Sequence, residues 1–440
     1  MKNKSTKTCL WIAFAFSIST LKAQELLTQD QAVALALQNN FGIKMENNNV
    51  AMAKNNASIL NSDYLPTLSG SAGANTNLDN TEAVFSNGTV TVLNKAKSSS
   101  YNASLNINYT LFDGFGREYN YKKLKEEYHL SELQARETIE NTIIQLFSLY
   151  YNVALLKENT ATLSQSFEIS KERSKRSDYQ FDYGQNTKLE VLNAQVDVNN
   201  DSIQLMQIDQ ELSNAKRNLN VILGNAIKTD FDVNTEVGFN LKQKKEQLLN
   251  KAKSRNIALL KSDTNIAIQE LEAKLIKSEF IPTLGLTGSY GWSKNNNNAA
   301  SFLTTATNTG LSAGLSLSWS LFDSKKYVSV RNTKLSLENE KLAQQNILIE
   351  IERDFNNAWE DYQNKYKIFQ IQELNIETAQ NNFDRTLEKF KLGQLNSIDF
   401  RQAQLNLLNV QLNKSQAKYE AKVAELQLLF LSGDLLNQEF

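Results

Sequence analysis

Two hydrophobic periodicities divide this chain. From about Phe115 to Tyr179 no proline intervenes, and Ile139, Ile143, Leu146, Tyr150 and Val153 step 4, 3, 4, 3. That spacing is a heptad seam. About 65 residues at 1.5 Å each predict a helix on the order of 100 Å long. A second rod is predicted over roughly Tyr327–Phe390. Each rod runs to a turn holding a glycine, Gly184 or Gly393, and then to a return helix, Thr187–Leu223 or Ser397–Leu431. The first return helix keeps the heptad through Leu205, Ile208, Leu212, Ala215, Leu219 and Ile222. The second keeps it through Leu405, Leu408 and Leu412, loses it at Ser415 and resumes it at Tyr419, Val423, Leu426 and Phe430. Gly224 and Gly433 are placed to close these helices. Each pair reads as an antiparallel coiled coil.

The second periodicity is a strict alternation. Tyr101, Ala103, Leu105, Ile107, Tyr109 and Leu111 alternate with Asn102, Ser104, Asn106, Asn108 and Thr110. Leu311, Ala313, Leu315, Leu317, Trp319 and Leu321 alternate with Ser312, Gly314, Ser316, Ser318 and Ser320. Runs of about 11 residues with one apolar and one small polar face match tilted strands that cross a bilayer. Tyr109 and Trp319 stand where an aromatic girdle would lie. Partner strands are predicted over Leu68–Asn75 and Leu284–Trp292, joined to them by polar loops around Asp79–Ser99 and Ser293–Thr309. A half-buried sheet in a soluble sandwich is the rival reading, and the length of the flanking helices opposes it.

The chain also repeats itself. Tyr64-Leu65-Pro66-Thr67-Leu68 returns as Phe280-Ile281-Pro282-Thr283-Leu284, and Leu111-Phe112-Asp113-Gly114 as Leu321-Phe322-Asp323-Ser324. Tyr183-Gly184-Gln185 with Ala194-Gln195 returns as Leu392-Gly393-Gln394 with Ala403-Gln404. Recurrence in one order at nearly constant offset predicts a tandem duplication: a first repeat over 24–224, a linker over 225–245, a second repeat over 246–433 and a tail over 434–440. Each repeat is expected to open with a helix of about 30 residues, the second over Glu246–Glu279, stopped by Pro66 or Pro282. Thr28 and Gln31 are spaced for a capping box at the start of the first.

Charge and composition narrow the picture. The chain has 440 residues, only two prolines and a formal net charge of -1, so nothing basic draws in nucleic acid. Residues 1–23 read as a secretory signal peptide: Lys2, Lys4 and Lys7, an apolar run from Cys9 to Ile18, then Leu21-Lys22-Ala23 before Gln24. An uncleaved anchor is the alternative, but the run is short for a span. Cleavage removes the only cysteine, Cys9, and leaves no thiol chemistry. No later apolar run approaches the length of a membrane helix, so strands must make any crossing. Four strands per chain cannot close a barrel, and hydrocarbon does not tolerate open edges. Two copies would give eight strands and a filled interior; three would give twelve and an open lumen.

With these features in that order, the mature chain resembles the TolC family of outer-membrane efflux proteins over about 25–440. The resemblance implies an α+β membrane protein, a homotrimer whose chains each give four transmembrane strands to a shared 12-stranded barrel and whose coiled-coil helices form a periplasmic α-barrel. It also implies partners: a periplasmic adaptor, an inner-membrane pump and outer-membrane lipid. The hairpin turns, Gly184 and Gln185 with Gly393 and Gln394, match the family's adaptor-docking tips. Asp399 matches an acidic residue lining the inner entrance, with Glu190 as its counterpart in the first half. The family's second acidic position falls on Gln402, and its locking Tyr and Arg fall on Phe390 and Leu395, so that lock is not expected here. A tight helix reversal by itself fully explains Gly184 and Gly393, with docking an additional role, and Asp399 and Glu190 are equally explained as first-turn acids facing a helix dipole.

Catalysis has no foothold. His129, the one histidine, sits mid-rod; there is no phosphate-cradling glycine loop, and the acidic residues lack metal-ligand spacing. No cofactor is expected. A passive efflux or secretion duct is therefore the leading reading. A periplasmic or surface trimeric coiled-coil structural or adhesion protein is the alternative, and strand pairs inside the chain oppose it.

Overall fold

The computed structural model describes residues 25–228, 231–239 and 244–437; the signal peptide expected over 1–23 lies outside them. In chain order the elements are β1 (Glu25–Leu27), α1 (Gln29–Asn39), α2 (Phe41–Asn56), β2 (Thr67–Val84), β3 (Val90–Phe112), α3 (Gly116–Asp182), α4 (Lys188–Ile222), β4 (Phe231–Val233), α5 (Lys245–Arg255), α6 (Ile257–Ser278), β5 (Thr283–Asn296), β6 (Thr305–Ser318), α7 (Ser324–Lys391) and α8 (Ser397–Leu431). The two rods are unbroken helices of 67 and 68 residues, each followed by a helix of 35. The chain divides into two compact units, one of residues 46–136 and 257–350, the other of the rest.

The first unit carries an antiparallel four-stranded sheet in the order β2-β3-β5-β6. Its register puts like with like. Across one face run Ala72, Ala103 and Trp292, then Gly70, Leu105, Tyr290 and Leu311, then Leu68, Ile107, Gly288 and Ala313. The other face is small and polar, and its side chains bond to one another across and along the strands. Ser71 and Ser104 hydroxyls meet at 2.8 Å, Asn106 Nδ2 donates to Ser104 Oγ at 3.1 Å, and Ser289 Oγ donates to Asn106 Oδ1 at 2.7 Å. A one-residue slip would turn every apolar side chain onto that face. Leu105, Leu311, Leu315 and Leu317 stay exposed, and β2 and β6 leave both edges open among the described residues.

The strands outrun their sequence-based bounds. Residues 79–99, read as a polar loop, continue as β2 and β3 of 18 and 23 residues. The reason is Asn87-Gly88: Gly88 takes φ +86°, and Phe85 N donates to Thr89 O at 2.8 Å, closing a tight turn suited to a hairpin. Likewise 293–309 shrinks to a turn between Asn296 and Thr305, and β6 ends at Ser318 rather than at Leu321. At the base, Asp113 Oδ2 accepts from Arg117 N at 2.7 Å, capping α3. The Arg117 guanidinium lies over the rings of Tyr64 and Tyr109.

In the second unit the opening helix is not continuous. The chain leaves helical geometry at Asn40 (φ -59°, ψ 127°) and at Asn256 (φ -59°, ψ 131°). Asn40 Oδ1 accepts from Ile43 N at 3.2 Å and so caps α2. Its Nδ2 donates to Ile222 O at 3.0 Å, as Asn256 Nδ2 does to Leu431 O at 3.1 Å. Each break therefore occupies the carbonyl end of a return helix. The glycines there are fixed by space and backbone together. Gly224 and Gly433 have φ +69° and +66°, and an added Cβ would meet Asn39 O at 2.5 Å and Arg255 O at 2.6 Å. The capping box of Thr28 and Gln31 forms as expected.

The linker, read as plain connection, contributes β4, which pairs in parallel with β1. Tyr150, fully buried on α3, holds the pair: its hydroxyl donates to Leu27 O at 2.8 Å and accepts from Asn234 N at 3.1 Å. Burial raises the Tyr150 phenol to about 12 and pushes Tyr151 and Tyr419 up as well. Beyond β4 the chain is strapped down by Tyr419 and Lys418 on Thr235 O, by Lys422 on Gly238 O, and by Phe239 packed on Tyr366 and Phe369.

Candidate functional site

The two hairpin turns follow one local rule. Gly184 (φ +72°) and Gly393 (φ +73°) stand just past α3 and α7. Gly184 N donates to Phe181 O and Gln185 N to Gln180 O; Gly393 N donates to Phe390 O and Gln394 N to Lys389 O. These paired bonds are a Schellman closure. No atom lies within 4 Å of a Cβ added at either glycine, so positive φ alone demands glycine there. Tyr183 and Leu392 are 82 % and 72 % exposed, and Gln185 and Gln394 beside them are exposed too. The turns thus present a polar amide and a large apolar side chain to whatever approaches.

One residue-turn further, Thr187 Oγ1 accepts from Glu190 N at 3.3 Å and Asn396 Oδ1 from Asp399 N at 2.8 Å. Glu190 and Asp399 therefore occupy matching third positions of α4 and α8, where a carboxylate also complements the helix dipole. Asp399 is exposed, as is Gln402 one turn on, whose Nε2 donates to Asn406 Oδ1 at 2.9 Å. No hydrogen bond or ion pair joins Glu190, Asp399 and Gln402 to one another among the described residues. Phe390 and Leu395 serve packing instead. Phe390 stacks on Phe400 at 4.5 Å, in a cluster with Phe383 and Leu407 against which Leu395 lies. Arg176 covers the Phe390 ring and donates to Lys391 O at 2.8 Å.

Above the turns lies a buried ionic cluster that sequence reasoning missed. Arg401 on α8 grips Asp201 on α4, from its two terminal nitrogens at 2.8 and 2.6 Å. Ser170 on α3 donates to the same carboxylate at 2.6 Å, and Gln404 Nε2 donates to Ser166 and Ser170 hydroxyls at 3.0 Å. Arg173 bonds to Asp197 and reaches Ser397 O and Oγ. Two cations thus face two carboxylates in a nearly dry interior, and hydrogen bonds fill most of the remaining valences. The cluster ties helices α3, α4 and α8 together. Only the spacing of Asp197 and Asp201, i and i+4 on one helix face, hinted at it.

No group of His, Cys, Asp and Glu suited to a metal occurs among the described residues. No helix among them is long and apolar enough to cross a membrane.

Comparison with known proteins bears directly on this architecture. The family described as outer membrane efflux protein matches residues 32–225 and 248–434. The chain is 23% identical over 439 residues to the outer membrane efflux protein BepC of Brucella suis, covering 98% of this chain and 91% of BepC. Its fold is similar to the Campylobacter jejuni CmeC outer membrane channel, with a TM-score of 0.76, 19% identity and coverage of 92% and 86% of the two chains. It is also similar to VceC of Vibrio cholerae, with a TM-score of 0.71, 14% identity and coverage of 92% and 96%.

Proposed function

Since the chain belongs to the outer membrane efflux protein family, we propose that three copies form the exit duct of a tripartite system, passively conducting substrates from an inner-membrane pump to the outside. The protein is a channel component and not an enzyme. The observation that carries the trimer is the sheet: four strands with one predominantly apolar face and, among the described residues, two open edges. Such a sheet is stable in hydrocarbon only when other copies close it. Three copies supply twelve strands, enough for an open lumen lined by the Ser and Asn face.

Exposed heptad stripes support the same reading. Val328, Leu335, Leu342 and Ile349 recur every seventh residue along α7, and Leu189, Leu192, Val196, Ile203 and Met206 line α4, all about half exposed or more. Seams of this kind are covered in coiled coils by further helices, here those of neighbouring copies in a periplasmic α-barrel. The tandem repeat gives each copy two similar sectors, bounded at 24–224 and 246–433 about the linker 225–245 and ahead of a tail from 434. Segment 1–23 directs export.

At the tips, Gly184, Gln185, Gly393 and Gln394 dock a periplasmic adaptor, and Asp399 with Glu190 forms an acidic ring that draws cations to the mouth. Gln402 leaves that ring thinner than two acids per sector would make it. The test is a planar-bilayer recording. Purified protein should open discrete conducting events that prefer cations. A protein that will not insert, and that fractionates with the soluble periplasm, would favour the structural coiled-coil reading instead.

A further inference from the structure

The apolar face of the sheet is not flat. Gly70 and Ala72 on β2 and Ala103 on β3 form the floor of an open groove of about 480 Å³, walled by Leu105, Tyr290 and Trp292. With Ala74 the floor follows β2 for about 13 Å at 3.3 Å per residue. Small floor and bulky wall are a consequence of register, since Gly70 stands opposite Leu105 and Ala72 opposite Ala103, while Tyr290 and Trp292 flank the same two residues from β5.

Past the groove, toward the hairpin turns, the same face carries cations. Lys294 stands opposite Tyr101, and Lys97 opposite Leu78. Both alternate onto the face that carries Leu105 and Trp292. Neither makes an ion pair among the described residues, and Asp79 alternates onto the polar face. Between these lysines and the strand bases the apolar face carries no charged residue. An apolar trough with aromatic walls, with the unpaired Lys294 just past it and the unpaired Lys97 four residues farther along β3, matches a lipid with two anionic groups on its head: acyl chain below, headgroup above.

We propose that this face holds a bisphosphorylated glycolipid of the outer leaflet, of the lipid A type, with an acyl chain on Gly70, Ala72 and Ala103, one phosphate at Lys294 and the other at Lys97. The proposal rests on the barrel reading, which sets the apolar face in the outer membrane with the turns outermost. An outer-leaflet lipid follows from the lysines lying at the turn end of the strands, away from Pro66 and Pro282.

The test measures the thermal unfolding midpoint of the detergent-purified native oligomer with four additions: bisphosphorylated lipid A, the same lipid without phosphates, phosphatidylcholine, and inorganic phosphate alone. Bisphosphorylated lipid A should raise the midpoint most. A Lys97→Gln/Lys294→Gln variant should bind it about 30-fold more weakly, given roughly one kcal/mol for each lysine at an anionic surface. Ala72→Leu, which fills the trough, should weaken lipid A while leaving the Lys-dependent preference for phosphate. Equal shifts with and without phosphates, or with inorganic phosphate alone, would overturn the site. Light scattering on the same sample separates the two claims. A trimer that ignores lipid A refutes the lipid site alone, and a soluble monomer refutes the barrel and the site with it.

Discussion

Arg401 and Asp201, 200 residues apart in sequence, form a bidentate pair at 2.8 and 2.6 Å in the interior between α8 and α4. Their side chains are 12% and 4% exposed. Removing one partner strands the other charge out of water, which costs about 3–5 kcal/mol for a buried pair. Asp201→Ala and Arg401→Ala should each lower the unfolding midpoint markedly. The double substitution Arg401→Ala/Asp201→Ala should cost clearly less than the sum of the two single changes. Strict additivity in that cycle would mean that the two side chains do not act as a pair.

Asp399 separates a structural from an electrostatic role. As a first-turn acid on α8 it contributes about 0.3–1 kcal/mol to the helix, so Asp399→Asn should leave stability nearly unchanged. If Asp399 and Glu190 ring the mouth, Asp399→Asn/Glu190→Gln should shift the reversal potential in a salt gradient toward zero selectivity. An unchanged potential in the folded double variant would remove both from the conduction path.

The four turn glycines should not respond alike. Positive φ costs a non-glycine residue about 1–2 kcal/mol, and that is all Gly393→Ala should lose, because its Cβ meets nothing within 4 Å. Gly433→Ala adds a Cβ at 2.6 Å from Arg255 O, so it should be distinctly more destabilising. Thermal denaturation of the pair decides it; equal losses would show that the contact with Arg255 yields freely.

Stability should fall at alkaline pH through Tyr150. Burial raises its phenol from 10.0 to about 12, so the folded chain holds the proton longer than the unfolded chain. The contribution is therefore complete below about pH 10 and lost as pH rises toward 12. Tyr150→Phe should flatten this decline while lowering stability at neutral pH, because Leu27 O and Asn234 N lose their partner. Midpoints recorded against pH for both proteins test it; parallel curves would exclude Tyr150 as the cause.

The chain's long elements were legible because their periods are strong. Heptads from Ile139 to Val153 and alternation from Tyr101 to Leu111 leave little room for other structures, and helix α8 begins and ends at the residues expected, Ser397 and Leu431. The breaks at Asn40 and Asn256 were hidden because neither Pro nor Gly marks them; an asparagine that caps one helix and bonds to another declares itself only in three dimensions. The hairpin over 79–99 was hidden by its polar strands, although Asn87-Gly88 signalled the turn. At the tips the turn glycines Gly184 and Gly393 and the first-turn acids Glu190 and Asp399 could be placed from sequence. The Arg173–Asp197 and Arg401–Asp201 cluster could not, since its parts come from three helices.

The most direct measurement is the number of chains per particle, by light scattering on a sizing column, for protein extracted in mild detergent from the outer-membrane fraction. Three are expected, the number that gives twelve strands and a lumen. A monomer or a dimer, or protein recovered mainly from the soluble periplasm, would contradict the shared barrel.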